Sequence, residues 1–140
     1  MGDEEPSWPV VPSWPVVPSW PVVSARAADD KQGEETVVLE VGEVLAITDA
    51  FVITSAANTR LVRTIAEAVE EAVGEAGGPK PIRIEGLDDA RWILMDYGAF
   101  VVHVFLDEAR RYYELERLWA DVPRTDWRTA ADGVAGGPAA

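Results

Sequence analysis

Apolar positions along this chain change their period from segment to segment. Residues 6–11, 12–17 and 18–23 each read Pro-Ser-Trp-Pro-Val-Val, so proline recurs at every third position from Pro6 to Pro21. Polyproline II has three residues per turn, which would align the prolines in one stripe. Trp8, Val11, Trp14, Val17, Trp20 and Val23 would form a second stripe. Each proline lacks an N–H, so neither a helix nor a central strand is expected there. Extended at ~3.1 Å per residue, the three copies would reach roughly 55 Å. Two readings are open. One is a ligand strip for an aromatic groove or a partner surface. The other is a low-complexity expansion with no fixed role. Perfect identity between copies, and tryptophans with no evident cover, favour the expansion, and residues 1–23 are predicted to be a disordered tail.

From Ser24 onward the pattern is that of a folded domain. Ser24 is the predicted cap of a short helix, Ala25 to Lys31, with Gly33 as its stop. Thr36 to Val41 and Ala50 to Ser55 are rich in β-branched residues and predict two strands. The link between them is too short for a parallel crossover, so they should pair antiparallel. Leu61, Val62, Ile65, Val69, Ala72 and Val73 then recur at helical spacing, with Glu67, Glu70, Glu71 and Glu75 on the other side. Asn58 is the predicted N-cap and Gly77-Gly78-Pro79 the stop. This helix should return the chain to a parallel strand, Pro81 to Gly86. Two apolar runs, Arg91 to Asp96 and Ala99 to Phe105, flank Tyr97-Gly98, which predicts a tight hairpin. A last helix is predicted from Asp107 to Val122, closed by Pro123. On it Tyr112, Leu115, Leu118 and Trp119 share a face, and Arg110–Glu114 and Glu114–Arg117 are spaced to pair. The expectation is an α/β layered domain over 24–127, with a five-stranded mixed sheet flanked by helices, and a flexible tail over 128–140.

Composition narrows the function. Among 140 residues, 25 acidic and 12 basic side chains give a net charge of −13. A phosphate backbone is bound through clustered Lys and Arg, so sequence-specific nucleic-acid binding is not expected, and neither is docking on an anionic lipid surface. The absence of cysteine excludes disulfides, thiolate catalysis and cysteine-based zinc sites. No apolar run is long enough to span a bilayer. The start, Met-Gly-Asp-Glu-Glu-Pro, lacks the basic and apolar blocks of a signal peptide, so a cytoplasmic protein is expected.

Candidate chemistry is thin. His103, the lone histidine, sits among Phe100, Val101, Val102, Val104 and Phe105 and reads as a core residue rather than a general base. No Gly-x-Ser-x-Gly elbow is present. Asp88 and Asp89 are adjacent and belong to a loop. Asp49 and Asp96 stand at strand borders, with no phosphate-holding loop to join them. No catalytic residue, metal or cofactor is therefore expected, and the alternative would be a metal-dependent nucleotidyltransferase-like enzyme using Asp49, Asp96 and His103. Aromatics with arginine and carboxylates crowd the C-terminal third, a composition suited to the centre of a protein interface. Leu115 and Trp119 read as core, whereas Tyr97, at the hairpin tip, and Arg110, early in the last helix, are expected to be exposed.

Those residues carry a resemblance. The runs Glu85-Gly86, Trp92 to Gly98 and Val101 to Phe105, followed by Glu108 to Trp119, resemble the ribosomal silencing factor family, also called Iojap or RsfS. Ile47 to Ile53 and Ala57 to Val62 match it in the same order, so the similarity covers about residues 34–121. Ala50, Leu61 and Ala99 depart from the family's usual residues, and the repeats are foreign to it. The resemblance implies a nucleotidyltransferase-like topology without the active site of those enzymes, and a homodimer when free. It also implies binding to the large ribosomal subunit through its L-fourteen protein, which blocks subunit joining and silences translation when nutrients are scarce. On that reading the docking residues are Trp92, Asp96, Tyr97, Gly98, Arg110, Tyr113 and Glu116, with Glu85 and His103 as second choices. Tyr97→Ala is expected to leave folding intact and abolish docking.

Overall fold

The computed structural model describes residues 19–130. The first two repeat copies, most of the predicted tail at 1–23 and the segment 131–140 lie outside the described residues.

The first element is a helix, α1 (Trp20–Asp30), and it starts inside the third repeat copy rather than after Ser24. Ser19 is its N-cap, and its Oγ accepts the Val22 N–H at 3.4 Å. Pro21 falls in the first turn, where a missing N–H removes a donor that has no intrahelical partner in any case. The expectation that prolines exclude a helix here therefore fails for this copy, and the predicted boundary at residue 24 falls within α1. Ser24 is a fully buried residue of the helix interior, beside Val22, Ala25 and Ala28. The helix ends before Gln32, whose φ of 68° takes the left-handed conformation expected of Gly33.

β1 (Glu34–Glu40) and β2 (Ala50–Ala56) pair antiparallel as predicted, with a register shift between Glu34 and Val37. α2 (Thr59–Glu75) is capped by Asn58, whose side chain accepts the Leu61 N–H at 2.8 Å. Val62, Ile65, Val69 and Val73 of the predicted stripe are buried, Leu61 and Ala72 are half-buried at its margins, and Ala66 joins it. β3 (Arg83–Glu85) runs parallel in direction to β2 but does not touch it. It is the sheet edge and pairs antiparallel with β4 (Trp92–Asp96), which pairs antiparallel with β5 (Phe100–Leu106). β5 lies parallel beside β2.

A sixth strand, β6 (Arg124–Thr125), closes the other edge against β1, so the sheet order is β3-β4-β5-β2-β1-β6. The sheet is mixed and flanked by helices, as expected, with six strands in place of five. Two residues are too few to leave a period in the sequence. The residues just after β6 secure it: Trp127 is buried in the core and its Nε1–H donates to the Thr36 carbonyl at 2.8 Å. Arg26 of α1 then donates to the carbonyls of Trp127 and Ala130, so the chain stays attached three residues past the predicted domain end.

The last helix is not continuous. α3 (Asp107–Tyr113) stops at Glu114, which sits at φ 50°, ψ 48°, and a 3₁₀ segment, Leu115–Trp119, follows. An unbroken helix would carry Glu116 away from Arg110. The turn at Glu114 brings it back, with Arg110 Nη2 2.9 Å from Glu116 Oε2. Arg110 thus pairs with Glu116 rather than Glu114, while the predicted Glu114–Arg117 pair is present. The break also separates the predicted common face: Tyr112 is 80% exposed, whereas Leu115 and Trp119 pack partly buried on the sheet.

Two apolar clusters result. On the inner sheet face α1 and α2 cover Val38, Val52, Ile93, Met95, Val102 and Val104. On the outer face α3 and the 3₁₀ segment cover Leu39, Val41, Ile53 and Phe105.

Candidate functional site

Side chains alternate across a strand, so the register assigns each residue to a face. Trp92, Leu94 and Asp96 on β4 share the outer face with Val101, His103 and Phe105 on β5, since Trp92 opposes Phe105, Leu94 opposes His103 and Asp96 opposes Val101. Phe51 on β2 opposes Val101 and joins them. α3 and the 3₁₀ segment reach this half of the sheet only through Tyr113 and Trp119, leaving Trp92, Leu94, Val101 and Phe51 half-buried.

His103 lies at the centre of an aromatic ring set. Phe51 meets it edge-on at 4.9 Å, and Trp92 and Phe105 flank it at 5.9 and 6.3 Å. The Trp92 Nε1–H donates to His103 Nδ1 at 3.1 Å, which requires an unprotonated Nδ1. Burial lowers the imidazole pKa to about 4, so His103 is neutral near pH 7. It positions Trp92 and has the character of a core histidine. Tyr113 extends the set outward, 5.0 Å from Trp92, and Trp119 packs edge-on against Phe51 at 5.6 Å.

Arg110 is only 6% exposed, contrary to the expectation of a surface side chain. Its Nε donates to Glu116 Oε2 at 3.0 Å, and Nη1 to the Glu34 carbonyl and Ser55 Oγ at 2.9 and 3.0 Å. Nη2 donates to the Glu35 carbonyl at 2.7 Å and faces Glu116 as well. A guanidinium carries five N–H donors; four hydrogen bonds form here, and the ion pair with Glu116 holds the remaining side of Nη2. Arg110 therefore ties the irregular start of β1 to α3 and to the segment that carries Trp119. Next to it, the Asp107 carboxyl hydrogen-bonds and repels Glu34, raising the Glu34 pKa. These residues line a charged cleft of about 690 Å³ with Arg111, Glu114, Arg117 and Arg124.

Tyr97 is also buried, at 5% exposure, against the expectation for a hairpin tip. Strand parity explains it: Ile93, Met95 and Tyr97 alternate onto the inner face, where Tyr97 stacks on Phe100 at 4.5 Å. Its hydroxyl has no hydrogen-bond partner, and burial pushes its pKa up to about 12. The tight turn is present one residue later than predicted: the Tyr97 N–H bonds the Phe100 carbonyl at 2.9 Å, so Gly98 and Ala99 form the tip. Gly98 has φ +86°, and its N–H donates to Asp96 Oδ1 at 2.9 Å. Asp96 also lies 3.6 Å from Arg83, which reaches Glu85 on the exposed edge strand at 3.4 Å.

The structure thus gathers Trp92, His103 and Tyr113 on one face, Arg110 and Glu116 beside its supporting layer, and Asp96 and Gly98 at its lower end. Glu85 stands apart on the edge, and Tyr97 supports the tip from within. Phe51, Leu94, Val101 and Trp119 were absent from the predicted set. Alternation within each strand places Leu94 with Trp92 and Val101 with His103, but no period reveals that Phe51 is their neighbour. Among the described residues no group of three or more His, Asp and Glu side chains is placed to hold a metal ion.

Residues 21–137 match the family model described as ribosomal silencing factor during starvation. The chain belongs to the ribosomal silencing factor family. A ribosomal silencing factor from Bacillus subtilis (strain 168) is 38% identical over 103 residues, covering 74% of this chain and 86% of the relative. A mouse protein named for mitochondrial assembly of the ribosomal large subunit is 31% identical, over 64% of this chain and 40% of its own length. Crystal structures of proteins from Chromobacterium violaceum and Bacillus halodurans superpose with TM-scores of 0.67 and 0.64, at 28% and 36% identity. They cover 70% and 74% of this chain, and 81% and 93% of their own chains. The family match begins at residue 21, inside the third repeat copy, where α1 also begins. The silencing-factor relatives carry names of regulators rather than of enzymes.

Proposed function

We propose that this chain docks on the large ribosomal subunit at its L-fourteen protein, blocks subunit joining by occupying space, and so represses translation under nutrient limitation. The half-covered aromatic face around Trp92 carries this reading. Apolar area of this kind, left open beside a helix that could have been longer, suits a protein partner. Trp92 and Tyr113 supply anchoring area, Asp96 faces basic side chains, Glu116 acts indirectly by holding Arg110, and Gly98 allows close backbone approach. Tyr97 and Arg110 shape the face from inside, and His103 orients Trp92. Glu85 lies at the margin.

Electrostatics limits how the partner is met. A chain at −13 is repelled by ribosomal RNA, but screening confines that repulsion to about 8 Å at physiological salt. A basic protein patch then attracts the carboxylates at short range. No bond is made or broken, no cofactor enters, and the inhibitor needs only a concentration-weighted affinity that rivals the small subunit's. A cytoplasmic location and a homodimer in the free state accompany this proposal. No helix among the described residues is long and apolar enough to cross a membrane.

The test is co-sedimentation with isolated large subunits, followed by a subunit-joining assay. Tyr113→Ala should weaken co-sedimentation roughly thirtyfold, about 2 kcal/mol, while leaving thermal stability unchanged. Full joining at saturating protein would overturn the reading. The enzyme alternative predicts thermal stabilisation by Mg²⁺ with nucleotides, and its candidate base, His103, is buried and neutral.

A further inference from the structure

The third repeat copy enters the fold at Ser19, and residues 6–17, the first two copies, lie outside the described residues. They cannot repeat what the third copy does. A helix capped by Ser7 or Ser13 would meet Pro12 or Pro18 in its second turn, whereas Ser19 is followed by eleven helical residues with proline only in the first turn.

We propose that residues 6–17 dock as a polyproline II strip on the uncovered half of their own chain's outer sheet face, where they compete with the ribosomal partner. The competition rests on the docking reading above; the seat on the sheet does not. Three observations carry it. The segment is a Pro-x-x-P sequence without a charged residue, the form that aromatic-lined grooves take up. The face offers such a lining, with Trp92, Phe51 and Tyr113 around half-buried Leu94 and Val101.

Reach is the third. Trp20 packs on the exit of α2, its ring 3.0 Å from where a Cβ on Gly78 would stand. Four residues on from Gly78, at most roughly 14 Å, lies Ile82. The Ile82 N–H bonds the Asp96 carbonyl at 2.6 Å, at the lower end of the open face. Residues 6–17 extend to roughly 37 Å at ~3.1 Å each, enough to round the β3 edge and cross β4 and β5. A tether this short holds the strip at an effective concentration on the order of millimolar, so weak intrinsic affinity suffices.

The experiment compares amide NMR spectra of the full chain and of Trp8→Ala/Trp14→Ala, which keeps length, charge and the Ser19 cap. Shifts should change at Phe51, Trp92, Leu94 and Val101, leave α2 unaffected, and persist on dilution. No change at those four positions overturns the proposal. Changes that vanish on dilution also overturn it, by making a second copy the occupant. With the strip docked nine-tenths of the time, the double variant should bind large subunits about tenfold more tightly. Unaltered affinity despite the shifts overturns the competition. If neither chain sediments with large subunits while the shifts persist, the docking reading falls and the seat on the sheet stands.

Discussion

The two faces of the sheet are built from the same strands and finished differently. The inner face is mainly aliphatic, and α2, seventeen residues long, covers it together with α1. The outer face is aromatic around a neutral histidine, and its cover is a seven-residue helix and a five-residue 3₁₀ segment. A face that serves stability alone is covered along its length. The outer face is covered over β1, β2 and the Phe105 end of β5, where a buried arginine fastens an apolar layer, and it stays half-open over β4 and Val101. The contrast separates residues that keep the molecule folded from residues that remain free to meet a partner.

Arg110→Ala gives the strongest test of that division. It strands the Glu116 carboxylate and two backbone carbonyls, and should cost about 4 kcal/mol in urea unfolding. Arg110→Lys should not restore it, because an ammonium has three donors in place of five. A loss below about 1 kcal/mol would show that the outer layer needs no clamp. Tyr97→Ala should cost about 3 kcal/mol, as a truncation in the inner core. This reverses the expectation that the substitution leaves folding intact. Tyr97→Phe should be neutral or stabilising, since the hydroxyl is buried without a partner.

His103 sharpens the comparison through pH. Its folded pKa of about 4 lies below the ordinary 6.5, so the unfolded chain binds the proton more readily. The neutral form's contribution is complete above pH 6.5 and is lost as pH falls toward 4, by about 3 kcal/mol in total. His103→Gln keeps an acceptor for Trp92 and removes the titration, so its stability should fall less than the parent chain's over that range. Equal slopes for both proteins between pH 6.5 and 4 would contradict the buried, neutral assignment. The smallest effect belongs to Glu114→Gly, which relieves a left-handed residue and should stabilise by up to about 1 kcal/mol, read as a small rise in Tm.

Much of this molecule was legible in its residues. The spacing from Val62 to Val73 specified α2, Asn58 its start, and Gly98 the hairpin, because each rests on local geometry that the neighbouring residues satisfy by themselves. The family was legible as well, since runs such as Trp92 to Gly98 survive as linear strings. Tertiary contacts decided the rest. Pro21 begins a helix because Ser19 caps it and the core receives Val22. Glu114 breaks a helix whose pattern was unbroken, because Glu116 is needed at Arg110. Tyr97 turns inward by parity, and Phe51 reaches Val101, fifty residues away, only because β2 and β5 lie side by side. Local propensity is a property of the chain, but which side chains share a face depends on strand order, and strand order is set by the packing of the whole.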